Sequence, residues 1–140
     1  MDVPEKVAYT ARVTSTGGRA GHAVSHDGSL DVILADPRDD SPTGTTAEEL
    51  FAAAYSACFN DAISHVASTV GIDCSGSTVT TTIQLGPHGE SSAFSIIVEV
   101  AVPGQDVGSI QDLANRAHQI CPYSKAMRGN VQVEVVAIEG

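Results

Sequence analysis

The sequence predicts an α+β fold, antiparallel sheet with two main helices in a single domain spanning residues 1–140, and three observations predict it. Several short segments alternate apolar and polar residues between turn signals. Two longer segments repeat apolar residues at a spacing of three to four. Their order along the chain is β-β-β-α-β-β-α-β, which separates strands and helices in the α+β manner. A length of 140 residues suits one domain. Hydrophobic residues make up 42% and aromatics only 4%, without Trp, so the core must be built from Val, Ile, Leu and Ala.

The first strand reads from Val7 to Ser15, with Val7, Tyr9, Ala11 and Val13 on one face. Gly17-Gly18 ends it in a turn, with Arg19 directly after. His22–His26 reads as a second, short strand, Asp27-Gly28 as a hairpin turn, and Leu30, Val32 and Leu34 as a third strand. Asp36 to Thr46, with Pro37, Pro42 and Gly44, reads as loop. Thr-x-x-Glu then occurs twice in overlapping register, Thr45 with Glu48 and Thr46 with Glu49, and either pair makes a capping box for a long helix. Phe51, Tyr55, Phe59, Ile63, Val66 and Val70 form its apolar face, Ser56, Asn60, Ser64 and Ser68 follow the same step on another, and Gly71 stops it. Ser77–Leu85 and Phe94–Val102 alternate as a hairpin broken by Pro87-His88-Gly89. Ser109 is the expected cap of the second helix, whose face carries Ile110, Leu113, Ala114, Ala117, Ile120 and Cys121. Pro122 disfavours helical angles at Cys121, so that cysteine falls at an end or kink. A short turn from Tyr123 to Met127 and a last strand from Val131 to Ala137 complete the chain.

Net charge is −10, from 17 acidic against 7 basic residues, which repels phosphate backbones and argues against nucleic acid as a partner. Met1–Lys6 is polar, and no apolar run approaches the roughly 20 residues of a membrane span, so the expectation is a cytoplasmic protein with no membrane partner. Three cysteines without a C-x-x-C are, in a reducing compartment, structural or redox-active thiols.

Cys58 lies in mid-helix beside the apolar face, where a cysteine is ordinarily a small apolar filler. Cys121 lies on the core side of the only other helix. If the two helices pack together, the thiols come within reach of oxidation; periodicity permits this without establishing it. Cys74, in a turn-rich stretch, reads as incidental. A reactive thiol needs a nearby cation to favour the thiolate at neutral pH. Arg19, on a Gly-Gly turn able to approach a helix closely, is the candidate, against the alternative of a solvated turn residue. Glu48 is either a helix N-terminal acid matched to the macrodipole or the partner that orients a buried Arg. Glu48 and Cys58 are ten residues apart, roughly 15 Å along a straight helix. They therefore share a site only through a bend, through long bridging side chains, or through a second subunit. His22 and His26 fall in a strand, which argues against a metal site, and His118 reads as a surface or core residue.

Three motifs, Gly17-Gly18-Arg19, Glu48-x-Leu50-Phe51-Ala-Ala-x-Tyr55-x-Ala57-Cys58-Phe59 and Cys121-Pro122-Tyr123-Ser124-x-Ala126-x-Arg128-Gly129-Asn130, carry a likeness that extends over nearly the whole chain. With them the sequence resembles the organic hydroperoxide resistance proteins, the Ohr branch of the OsmC/Ohr (osmotically inducible protein C) family. The resemblance implies an intertwined α+β homodimer with active sites at the subunit interface. It implies a cysteine-based peroxidase acting on organic, especially lipid-derived, hydroperoxides. On this likeness Cys58 matches the peroxidatic cysteine, Cys121 the resolving cysteine, and Arg19 with Glu48 the pair that activates the thiolate. The implied reductant is an external dithiol, a dihydrolipoyl group on a lipoylated protein, with no metal or bound cofactor. Helix spacing suggests Phe51, Tyr55, Phe59 and Tyr123 as an apolar wall for the substrate, or simply as core.

The chain departs from the family pattern at Thr46-Ala47, where Asn-Pro is common, at Ala54, where Gly is common, and at Asn60-Asp61, where a more apolar pair follows the cysteine. The competing readings are a peroxidase of the sister branch with other substrate preferences, and a non-catalytic protein that holds an apolar ligand between helices and sheet.

Overall fold

The computed structural model describes residues 1–40 and 43–140, so Pro42 of the expected loop lies outside the described residues. The chain divides into two compact units, Met1–Leu50 and Phe51–Gly140. The α+β class holds, and so does the order of elements.

In the first unit, β1 (Val13–Thr16), β2 (His22–Ser25) and β3 (Asp31–Ile33) form an antiparallel sheet in that order. The expected strand from Val7 is shorter than its alternation suggested. β2 has only four residues, and past the Val13↔Ser25 pair the ladder continues by a single backbone bond, His26 N–H to Arg12 O at 2.9 Å. Val7 and Tyr9 lie exposed. Between β1 and β2 the chain turns through Gly17 (φ 76°) and Gly18 (φ 64°) into a single 3₁₀ turn, Gly18–Ala20. At Gly21 a Cβ would sit 1.7 Å from Thr16 O, so only glycine closes this turn. The Asp27-Gly28 hairpin is tied by Asp27, whose carboxylate accepts from the Ser25 and Ser29 hydroxyls and the Ser29 N–H. Those hydrogen bonds pull its carboxyl down to about 2.

Helix α1 (Ala47–Val70) begins at the second of the two capping registers, with the Glu49 N–H donating to Thr46 Oγ1 at 3.0 Å. It ends at Gly71 (φ 71°), where the Ile72 N–H reaches back to Ala67 O at 3.2 Å in a Schellman closure.

In the second unit, β4 (Thr78–His88) and β5 (Ser91–Ala101) form a long antiparallel hairpin. Pro87 does not break β4 as expected. It pairs with Ser92 and is tolerated because β4 is an edge strand, where a missing N–H faces away from the ladder. The last strand, β6 (Gln132–Ile138), joins β5 in parallel, so the second sheet has one antiparallel and one parallel pair. Helices α2 (Val107–Ile120) and α3 (Pro122–Met127) make the crossover that a parallel pair requires. The cap of α2 is Asp106 rather than Ser109; its carboxylate accepts from the Ser109 N–H at 2.9 Å. Gln111 on α2 clasps the open edge of β6, donating to Val135 O and accepting from the Ala137 N–H.

The core of this unit lies between α1, α2 and the inward face of β5. Tyr55, Phe59 and Ile63 meet Ile96, Val98 and Val100, with Ile110, Leu113 and Ala117 from α2. On its other side α1 is fixed to β4 by hydroxyl and amide groups. The Ser56 hydroxyl donates to Thr81 Oγ1 at 2.8 Å, and Asn60 exchanges hydrogen bonds with the Ser77 hydroxyl and carbonyl. Asn60, beside the mid-helix cysteine in sequence, is thus occupied in packing.

Truncating a fully buried residue of β5, Ile96→Ala, is expected to cost about 2–5 kcal/mol of stability. Removing the cap, Asp106→Ala, is expected to cost about 1 kcal/mol. Urea midpoints of the two variants against the parent check the order of these effects.

Candidate active site

Two clusters of chemically capable side chains are found, one in each unit. In the first, Arg19 Nη1 donates to Glu48 Oε1 at 2.5 Å. The glycine turn aims the guanidinium, and the first turn of α1 presents the carboxylate. The Arg19 side chain is about one-third exposed and that of Glu48 is largely covered. Glu48 Oε2 is buried without a hydrogen-bond partner, leaving one acceptor free. The Arg19 guanidinium is therefore held, not loosely solvated. Nearby in sequence, Arg38 grips Asp36 through Nε, Nη2 and its backbone N–H, which holds that carboxyl far below the usual range.

In the second unit the two cysteines meet. Cys121 Sγ lies 3.8 Å from Cys58 Sγ, with both thiols free. Cys58 is half-buried in mid-α1 and Cys121 is fully buried. Cys121 stands between α2 and α3 with extended angles (φ −61°, ψ 124°), as the following proline dictates, while its N–H still donates to Ala117 O. Burial, then the neighbouring Cys121, push the Cys58 thiol above its ordinary value; a backbone hydrogen bond from Tyr123 opposes them. Cys74 is also partly buried, and desolvation raises its thiol too.

The aromatic residues divide. Tyr55 and Phe59 are fully covered, so they are core and present no surface to a ligand. Phe51 and Tyr123 are partly open and meet edge to face at 6.3 Å. Phe94 of β5, which helix spacing has no means of identifying, stacks on Phe51 at 6.0 Å and is itself exposed.

A further set of contacts also escapes sequence reasoning. The Tyr55 hydroxyl and Ser124 Oγ are 2.7 Å apart, and Ser124 Oγ is 2.9 Å from His118 Nδ1. Arg128 donates to the His118 carbonyl at 3.0 Å, capping the end of α2. Ser124 stands in the Cys-Pro-Tyr-Ser motif, but its partner Tyr55 is 69 residues away, and no periodicity encodes that contact. Desolvation, then Arg128, lowers the His118 pKa below its ordinary 6.5. His22 pairs with Asp31, and among the described residues no group of three or more His, Cys, Asp or Glu is arranged to hold a metal ion. No described helix is long and apolar enough to cross a membrane.

Comparison with known proteins gives a consistent result. The family model described as OsmC-like protein matches residues 38–136. The organic hydroperoxide resistance protein of Xanthomonas axonopodis pv. citri is 46% identical over 138 residues, covering 95% of this chain and 96% of its own. OhrB, an organic hydroperoxide resistance protein of Bacillus subtilis, is 42% identical over 131 residues, covering 91% and 96%. The crystal structure of that OhrB superposes with a TM-score of 0.88 at 39% identity, covering 94% of this chain and 100% of the other. An organic hydroperoxide resistance protein from Legionella pneumophila superposes with a TM-score of 0.86 at 36% identity, covering 94% and 98%.

The His118 shift has a stability consequence. A histidine whose folded pKa is depressed contributes stability that is present above its unfolded value near 6.5 and is lost as pH falls toward the folded value. Thermal stability is expected to decline on acidification through this window, and His118→Gln to flatten the decline. Equal slopes of melting temperature against pH in the two proteins would remove His118 as its source.

Proposed function

We propose that this chain, which belongs to the OsmC-like family and within it to the organic hydroperoxide resistance proteins, is a thiol peroxidase that reduces organic hydroperoxides to alcohols. The observation that carries the reading is the 3.8 Å approach of Cys58 to Cys121. Among thiols that are only packing material, such an approach of two cysteines 63 residues apart has no use; for a disulfide cycle it is what chemistry requires.

The Cys58 thiolate attacks the terminal oxygen of the hydroperoxide. The O–O bond breaks, the alkoxide leaves and takes a proton as the alcohol, and Cys58 becomes a sulfenic acid. Cys121 then attacks the sulfenic sulfur; the hydroxyl leaves as water with the thiol proton, and a Cys58–Cys121 disulfide remains. An external dithiol, a dihydrolipoyl group on a lipoylated protein, reopens it by exchange. No resident cofactor takes part.

Burial and Cys121 hold the Cys58 thiol high, which by itself leaves little thiolate at neutral pH. The Arg19–Glu48 pair supplies the offsetting charge. Glu48 fixes the guanidinium, and the guanidinium stabilises both the thiolate and the charge developing on the peroxide oxygens. The working unit is a homodimer. The spacing of Glu48 and Cys58 along α1 and the exposed apolar residues Val7, Tyr9 and Val13 support a second copy completing each site. The open aromatic surface of Phe51, Phe94 and Tyr123 receives the alkyl group, which favours organic hydroperoxides over hydrogen peroxide.

Reduced protein titrated with one equivalent of an alkyl hydroperoxide is expected to lose two thiols and gain a Cys58–Cys121 peptide link by mass spectrometry. Cys58→Ser is expected to consume no peroxide. Slow oxidation scattered over all three cysteines would instead leave a ligand-binding protein of the same fold. Arg19→Ala is expected to slow the first step by about a hundredfold and to shift its pH dependence to higher pH; an unchanged pH–rate profile would exclude Arg19 from activation.

A further inference from the structure

The two cysteines are not the only link between α1 and the α2–α3 junction. Tyr55 lies three residues before Cys58 on α1, and Ser124 lies three residues after Cys121 at the start of α3. Residues three apart on a helix stand side by side, as Tyr55 and Cys58 do, and Cys121 is the N-cap of α3 with Ser124 one turn further on. The Tyr55–Ser124 hydrogen bond and the Cys58–Cys121 sulfur contact are thus parallel connections between the same two elements. The first is fully buried and does not depend on redox state; the second does.

Ser124 Oγ also meets His118 Nδ1 on α2. One hydroxyl, with no exposure to solvent, therefore ties together α1, α2 and α3. Its two partners suit its chemistry, since a hydroxyl donates to one neighbour while accepting from the other. Arg128 reinforces the same joint by donating to the last carbonyls of α2. The reacting sulfur of Cys121 hangs from the centre of this brace.

We infer that Ser124 is a positioning residue for disulfide formation: its hydroxyl, fixed between Tyr55 and His118, holds Cys121 within reach of Cys58. This rests on the cysteine cycle proposed above. The step served is attack of Cys121 sulfur on the Cys58 sulfenic acid, forming the S–S bond and releasing water. With the brace in place the sulfurs need close by only about 1.8 Å to reach a bond length near 2.0 Å. Without it, Cys121 samples a wider range at a break between two helices, and fewer encounters are productive. Attack of Cys58 on peroxide does not use the brace.

The test separates the two steps in the full-length protein. Sulfenic acid formation is timed with an alkyl hydroperoxide and a sulfenic-acid-trapping diketone probe, and disulfide formation by acid quench and mass spectrometry. The Cys58–Cys121 redox equilibrium is measured separately in dithiothreitol buffers, without peroxide. Ser124→Ala is expected to form the sulfenic acid at the parent rate and to form the disulfide about tenfold more slowly. It should accumulate trapped Cys58 and shift its redox equilibrium toward dithiol. Tyr55→Phe, which keeps the buried ring, is expected to slow disulfide formation in the same direction. If the parent forms no Cys58–Cys121 disulfide at all, the peroxidase cycle itself is wrong. If the parent does and Ser124→Ala resolves at the parent rate, the positioning role is wrong while the cycle stands. Equal slowing of both steps in Ser124→Ala overturns it as well, because the hydroxyl would then serve only stability.

Discussion

Pro122 crowds the residue before it and has no N–H to continue a helix, and much of the second unit follows from that constraint. It ends α2 at Ile120, leaves Cys121 extended between two helices, and starts α3 with its fixed angle at the first helical residue. The backbone N–H of Cys121 still closes the last turn of α2, and its carbonyl accepts from Lys125 in the first turn of α3. A cysteine in mid-helix would have no such freedom of placement. A cysteine in a loop would lack the two flanking helices that bury it.

The environment so made is unfavourable to an isolated thiolate. Burial and a second sulfur both raise the Cys58 thiol, and Asp61 on the same helix adds to this. The other polar cluster, in the first unit, is the Arg19–Glu48 pair. Arg19 sits on a turn that only glycines close, against a carboxylate at a helix N-terminus.

The elements that carry strong local signals were legible in the sequence. α1, its Gly71 stop, the Asp27-Gly28 hairpin and the break at Cys121 all rest on residues adjacent to the feature they cause. The departures lie where a distant partner decides. Val7–Arg12 has the alternation of a strand, but the ladder ends with β2. Pro87 reads as a breaker until β4 is seen to be an edge. Asp106 outcompetes Ser109 because its carboxylate, not the serine hydroxyl, reaches the free N–H of the first turn. Within the site, the residue types were legible from motif and spacing. Which aromatics stay open was not, since Tyr55 and Phe59 are covered by residues of β5 and α2 far along the chain.

The parallel pairing of β6 with β5 bears on how the chain is made. Ser95 pairs with Gln132, and the intervening segment contains both helices that frame Cys121. The hairpin of β4 and β5 is local and closes early, whereas β6 must wait for the whole crossover. On a ribosome, Cys58 and Cys74 emerge well before Cys121, and Cys121 finds its seat only when the C-terminal strand has docked against β5. A nascent chain therefore carries two thiols before the third has been made. Any shortening of the C-terminus that removes β6 leaves β5 without its parallel partner.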